Sequence, residues 1–192
     1  MPHSSISSQL RLVWPGPEYL PGYVAALQTG WSPNNLRPAV AQEELLQIHA
    51  DPARFLEGLV DREARGGPVM LPDGTAVPRL PGYRRWLWDG EFCGSIGLRW
   101  SRGSNTLPDY CLGHIGYSVV PWKSGRGYAK EALRLLLLDT PAEGLSYVEI
   151  TTSPQNLASQ RVIRANGGVL VEEFFKSAEL GGTPELRFRI DV

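Results

Sequence analysis

Residues 113–137, GHIGYSVVPWKSGRGYAKEALRLLL, change character in the middle. Up to Val120 the run is rich in β-favouring residues, and it stops at Pro121, which has no N–H to give a sheet ladder. Beyond the glycines, Ala129, Ala132, Leu133, Leu136 and Leu137 recur at helical spacing, with Lys130, Glu131 and Arg134 on the opposite side. A strand over about 112–120 therefore passes through Gly125-Arg126-Gly127 directly into a helix over 126–139. Such a loop suits an anion, because the first turn of a helix has N–H groups without partners and carries the positive end of the helix dipole. Lys123 and Arg126 add mobile positive charge beside it. Read alone, the pattern fits equally a plain strand-to-helix turn in which the glycines only let the chain bend.

Outward from that stretch the order of elements is mixed. Upstream, two strands over 83–88 and 92–100 meet at Asp89-Gly90, a hairpin signal. Downstream come a strand over 147–152, a short helix over 156–166 closed by Gly167-Gly168, and two strands over 169–175 and 185–190. Only the central β-α-β-α part favours parallel pairing. In the first 82 residues Leu10, Leu12 and Trp14 alternate like a strand, helical signals run over 21–31 and 40–65, and Asp51-Pro52 reads as an N-cap followed by a first-turn proline. Residues 66–82, GGPVMLPDGTAVPRLPG, predict a small hairpin about Pro72-Asp73-Gly74, serving as a lid, as a wall of a binding site or as a connector. The fold expected is α+β: a mixed, mostly antiparallel twisted sheet flanked by helices, with a central β-α-β-α core. The 192 residues make one domain, with a variable half over 1–82 and a ligand-binding half over 83–192.

Composition narrows the partners. A formal net charge of -1 gives no support for nucleic acid or an anionic membrane surface. The longest apolar run, 135–138, is far below the roughly 20 residues a membrane helix needs. The N-terminus has neither the basic start nor the apolar run of a signal peptide. Cys93 and Cys111 are too few for a disulfide framework and lack metal-ligand spacing, so two buried free thiols in a reducing cytoplasm, with no metal, are expected. Trp86, Trp88, Trp100 and Trp122 suggest a tryptophan-rich sheet that lines an acceptor pocket or, as is commoner, serves core or homodimer contacts.

Which phosphate ligand the loop takes is limited by what is missing. G-x-x-x-x-G-K-[ST] is absent, and Lys130 stands where a dinucleotide fingerprint needs its third glycine. Glu149 lies at the spacing of a ribose-binding acid, yet the loop falls too late in the chain for a doubly wound domain. Two segments together resemble the GNAT superfamily of acyl-CoA N-acyltransferases. Residues 113–137 look like its strand–pyrophosphate-loop–helix signature, and TTSPQNLASQRVIRANGG, residues 151–168, looks like its N-x-x-S cofactor helix.

The resemblance implies acetyl-CoA as co-substrate and an amine acceptor. It also implies that backbone groups of Ser118, Val119 and Val120, at a bulge in the strand, pair with the pantetheine arm. Backbone N–H groups of Lys123, Gly125, Arg126, Gly127, Tyr128 and Ala129, with Ser124 between them, would hold the pyrophosphate. Asn156 would bind the pantetheine, with Ser159 and Arg161 nearby; Asn156 is equally placed to cap its helix. Two positions depart from the family pattern. Trp122 replaces the usual Gln or Arg, and Ile163 stands where many relatives have a tyrosine proposed to protonate the departing thiolate.

A thiol of pKa about 8.5 leaves acceptably as thiolate near neutrality, so the amine's proton matters more. Removing it costs about 4–5 kcal/mol at pH 7 for a lysine-like amine and about 1 kcal/mol for an α-amine. His114 and Glu149 are the candidate bases, with Val119 or Val120 N–H as the oxyanion donor. His114 also fits a strand-edge residue bonded to a neighbour, and Glu149 an outward, solvated side chain. Tyr117 reads as packing. Direct attack in a ternary complex is the leading expectation, with Cys111 the one residue to suspect of a covalent route. A module that senses acyl-CoA without turnover is the alternative.

Overall fold

The computed structural model describes residues 9–192. The first eight residues of the expected lead-in lie outside this range. Five strands form one sheet: β1 (Arg11–Val13), β2 (Val60–Asp61), β5 (Gly82–Trp88), β6 (Phe92–Arg99) and β7 (Ile115–Val119). The order is β1-β5-β6-β7, with β2 sharing the β5 edge. A second sheet of three strands, β8 (Tyr147–Thr152), β9 (Val169–Phe175) and β10 (Pro184–Asp191), has the order β8-β10-β9. The predicted hairpin of the insertion is present as β3 (Val69–Met70) and β4 (Ala76–Val77).

Five α-helices complete the fold: α1 (Leu20–Gln28), α2 (Val40–Ala50), α3 (Pro52–Gly58), α4 (Tyr128–Leu137) and α5 (Leu157–Arg164). Asp51 caps α3 as its sequence predicts, its side chain accepting from the Arg54 N–H at 2.9 Å. Such a cap contributes about 1 kcal/mol. Helix α4 begins two residues later than expected, because Gly127 takes a left-handed conformation just before it. No helix of the described residues is long and apolar enough to cross a membrane.

Every strand pairing among the described residues is antiparallel. The parallel pairing expected between β7 and β8 does not form a ladder. The two strands meet only where β7 begins: the His114 N–H donates to the Glu149 carbonyl at 2.7 Å, and the Glu149 N–H donates to His114 Nδ1 at 2.9 Å. The imidazole thus acts as a second backbone acceptor and pins the vertex of a V. Beyond the vertex the strands part, and Tyr117 bridges from β7 to α5 instead, its hydroxyl 2.8 Å from Ser159 Oγ.

Both sheets bury one face against α4 and α5. Leu98, Ile115, Val148, Ile150 and Phe188 meet Ala132, Leu133, Leu136 and Ile163 there. On the other face α1–α3 cover the first sheet through Tyr23, Leu27, Trp31 and Phe55, packed on Trp86 and Phe92. Tyr23 stacks on Trp86 with centroids 4.6 Å apart. Behind that stack the buried Tyr23 and Glu44 and the half-buried Arg84 form a polar triad, with Arg84 Nη1 3.0 Å from Glu44 Oε1. Over the second sheet the same face carries Glu149, Arg187 and Arg189.

Of the four tryptophans singled out, Trp86 and Trp100 are core residues, Trp88 is half-buried against Tyr19, and Trp122 is exposed on its loop. Cys93 is a buried free thiol; Cys111 is only half-buried and precedes β7 rather than lying in it.

Candidate functional site

The V opens beside the C-terminal half of β7, and the ladder decides which backbone groups face it. Register pairs Gly94 with Val119 and Ser95 with Ser118, and the Val120 N–H donates to the Cys93 carbonyl at 3.0 Å. In an antiparallel ladder alternate residues point to the partner. Ser118 and Val120 are therefore turned to β6, and Tyr117 and Val119 to the opening. Asn35 Nδ2 confirms the direction by donating to the Tyr117 carbonyl at 3.1 Å. Val119 alone of the three expected residues directs its backbone into the groove.

The expected bulge is absent from β7, whose register with β6 is regular; the irregularity lies one strand away, between Leu87 and Trp88. Gly94 makes the close approach possible. A Cβ there would stand 2.3 Å from the Ser118 carbonyl oxygen, and its φ of +148° suits glycine.

After β7 the chain turns through one 3-10 turn, Pro121–Lys123, into the glycines. Here the structure corrects the reading of Lys123. Its N–H is spent on the Val120 carbonyl, and its ammonium is buried, with Asp89 Oδ1 and Oδ2 each 3.0 Å away. Tyr128 donates to the same carboxylate at 2.5 Å. Burial opposes the charge on Asp89, but Tyr128 and Lys123 outweigh it and hold its pKa at about 2. Lys123 is not mobile charge but a strut that fixes the loop to the β5–β6 turn.

What remains open is backbone. Gly125 and Gly127 have φ of +76° and +80°, and among the described residues no group accepts from the N–H groups of residues 125–129. Five donors thus converge at the start of α4, with the exposed Arg126 side chain beside them and Ser124 turned back to the Val120 carbonyl. Donors of this kind fit a diphosphate.

Helix α5 supplies the other wall. Asn156 Oδ1 caps it by accepting from the Ser159 N–H at 3.0 Å, so the capping role is real and its Nδ2 stays available. Ser159 Oγ is held by Tyr117, and Arg161 is exposed, with no ion pair among the described residues. Ile163 is fully buried in the core, so its side chain does not line the groove.

His114 and Glu149 are together at the vertex, as their places in adjacent strands imply. His114 is fully buried; burial lowers its pKa, and the neighbouring Glu149 opposes that only in part. Its Nδ1 lone pair accepts the Glu149 N–H, so the neutral ring carries its proton on Nε2, on the side of the Asn105 backbone. Burial also disfavours charge on Glu149, but Arg189 Nη2 at 2.8 Å and Arg187 Nη1 at 2.9 Å outweigh it and hold the carboxyl below the usual range.

Sequence reading missed the contribution of residues 31–37. Trp31 Nε1 donates to Ser118 Oγ at 3.0 Å, Ser118 Oγ donates to the Ser32 carbonyl at 3.2 Å, and Asn35 reaches Tyr117. This loop closes the side of the groove nearest α1, and no local pattern marks it. Among the described residues no cluster of three or more His, Cys, Asp or Glu could hold a metal.

The fold recurs in solved acetyltransferases. The microcin C7 self-immunity acetyltransferase MccE, solved with acetyl-CoA and AMP, superposes with a TM-score of 0.63 at 12% identity, over 96% of this chain and 93% of that one. RimL, the ribosomal L7/L12 alpha-N-protein acetyltransferase solved with coenzyme A, gives 0.62 at 14% identity, over 97% and 96%. Mycobacterium smegmatis RimJ gives 0.60 at 20% identity, over 95% and 81%. Among curated proteins none matches the chain in sequence. A family model described as an acetyltransferase (GNAT) domain matches residues 35–169, and with groove, loop and α5 cap all in place the chain belongs to the GNAT acetyltransferases, with acetyl-CoA as co-substrate.

Proposed function

We propose that the protein acetylates a weakly basic primary amine, of the α-amino kind, by direct attack on acetyl-CoA in a ternary complex in the cytoplasm. One observation carries the reading: the free N–H groups of residues 125–129 stand at one end of a groove edged by Val119 and walled by Asn156. The diphosphate would lie on the loop and the pantetheine along Val119, with Asn156 Nδ2 beside it. The Val119 N–H, turned into the groove, would then stabilise the oxyanion.

The amine class follows from the two residues expected to take the proton. The His114 lone pair is engaged, and Glu149 holds its charge under two arginines. Glu149 receiving the proton through water suffices for an amine whose deprotonation costs only about 1 kcal/mol at pH 7, and not for a lysine-like one. RimL, with the same fold, is an α-amine acetyltransferase by its name.

The test is thiol release from acetyl-CoA across amines of graded basicity. Turnover should rise as the amine pKa falls from about 10.4 to about 8. Tight CoA binding without turnover on any amine would instead establish the sensor reading.

A further inference from the structure

The groove's acceptor side contains one cation that none of the roles above uses. Cross-strand register places Arg84, Gly97 and Gly116 in one row across β5, β6 and β7. The face is fixed at both ends of the next row: Trp86 stacks on Tyr23 of α1, and Ser118 bonds Trp31 and Ser32. Side chains two residues away share a face. Gly97 and Gly116 therefore leave a bare backbone floor on the side of α1–α3, and Gly116 is exposed.

Arg99 lies across that floor. A Cβ built on Gly116 would stand 3.0 Å from Arg99 Nη2. Arg99 is exposed, and among the described residues its guanidinium makes no hydrogen bond or ion pair. Its charge nevertheless reaches the vertex, where it helps to keep His114 neutral. At the other end of the row Arg84 is fixed through Nη1 to Glu44 and Tyr23, with its side chain still 26% exposed. Two guanidiniums thus bracket a floor without side chains. One is rigidly held, and the other is exposed with no ion pair among the described residues.

This charge is not placed for the cofactor's phosphates. Arg99 pairs with the start of β7, its N–H donating to the His114 carbonyl, whereas the diphosphate loop follows the strand's end. Five strand residues separate the two by roughly 16 Å.

We propose that Arg99, over the Gly97–Gly116 floor, is an anion subsite for the acceptor, so that the substrate amine carries a carboxylate or a phosphate close to its amino group. The inference rests on the acetyltransferase reading above and adds the substrate's charge to it. A planar guanidinium with free N–H groups takes either oxyanion in bidentate fashion. The bare floor gives the anion room to lie flat on the strands. An acceptor of this kind keeps its amine directed toward the vertex while its negative end is held over the β6–β7 floor.

The test compares pairs of acceptors that differ in the anion, at saturating acetyl-CoA and with KM counted on the unprotonated amine so that basicity drops out: glycine with glycinamide, and phosphoethanolamine with ethanolamine. In the wild-type protein the anionic member of at least one pair should show the lower KM, and which pair does so separates carboxylate from phosphate. Arg99→Gln should raise that KM tenfold or more, leave kcat within about twofold, and leave the neutral member unchanged. Gly116→Ala, whose added methyl displaces the guanidinium, should act in the same direction. Equal KM values within both pairs, or equal losses on both members in Arg99→Gln, would overturn the subsite and leave the acetyltransferase reading standing.

If none of the four amines turns over, calorimetry on the CoA-loaded protein with N-acetylglycine and N-acetylglycinamide decides. Tighter binding of the anion that disappears in Arg99→Gln supports the subsite; equal or absent binding sinks it. Failure of the acetyltransferase reading has a different signature: CoA binds, and no amine of any charge is acetylated.

Discussion

The two ends of β7 hold positive potential in different ways. At its C-terminal end five backbone N–H groups converge on a loop whose nearest lysine is buried in a salt bridge. At its N-terminal end the backbone is stripped bare by Gly97 and Gly116, and the charge comes from the side chain of Arg99. A backbone site is fixed by conformation and recognises what all donors of the family share. A side-chain site is replaceable one residue at a time and suits the part of the reaction that varies. For this chain the comparison points the search for acceptor specificity to the start of β7, where the proposed Arg99 subsite lies.

Substitutions can separate the ends or collapse both. The largest effect is expected from Gly94→Ala, whose methyl would meet the Ser118 carbonyl at 2.3 Å in a backbone conformation that disfavours side chains. A loss of about 4 kcal/mol is expected, from overpacking and backbone strain together, and both ends of β7 should fail. Chemical denaturation showing less than about 1 kcal/mol of loss would contradict the close packing of β6 on β7.

Next is Asp89→Asn, which leaves the Lys123 ammonium buried with, among the described residues, only the exposed Glu91 as its anion. Breaking a buried pair this way costs about 3 kcal/mol. CoA affinity should fall with stability, because the strut that shapes the loop is gone. Isothermal titration with CoA, set beside the denaturation midpoint, checks the coupling.

Gly127→Val sharpens the contrast further. Its φ of +80° costs a β-branched residue about 1–2 kcal/mol, while space around the position is open. The Kd for CoA should rise about tenfold, and the KM for acetyl-pantetheine, which lacks the diphosphate, should not move. Equal losses with both donors would show that the loop does more than hold phosphate.

The smallest effect concerns the vertex. His114 has its folded-state pKa pushed down, mainly by burial, so the neutral ring is the form that folding favours. Its stabilising contribution is complete above the unfolded value of about 6.5 and is lost as pH falls below it. Melting temperature should therefore decline on acidification from pH 7 to 5, and His114→Gln should flatten that decline. An unchanged slope in the variant would show that the imidazole does not bear the acid sensitivity.

Much of this was legible in the sequence because it is local. The change from strand to helix between Val120 and Tyr128, the turns at Asp89-Gly90 and Pro72-Asp73-Gly74, and the caps at Asp51 and Asn156 all came from short-range patterns, and each is present. What was not legible depends on partners far along the chain. Lys123 looked mobile because Asp89 lies 34 residues away. The direction of Val119 required the β6 register, and the parting of β7 from β8 required knowing that His114 would offer Nδ1 to the Glu149 N–H. Residues 31–37 carry no motif, and their closing of the groove is visible only through Trp31, Ser32 and Asn35 on β7.

The Trp31 bond has a practical consequence. Its indole N–H is tied to a side chain on β7, while its ring sits edge-on to Tyr23 of α1 and Phe92 of β6. An indole so placed is an intrinsic optical probe of the contact between β7 and the helical layer. Its emission should register the arrival of either substrate without a label, and a single-tryptophan version of the chain would read out the order in which the two arrive.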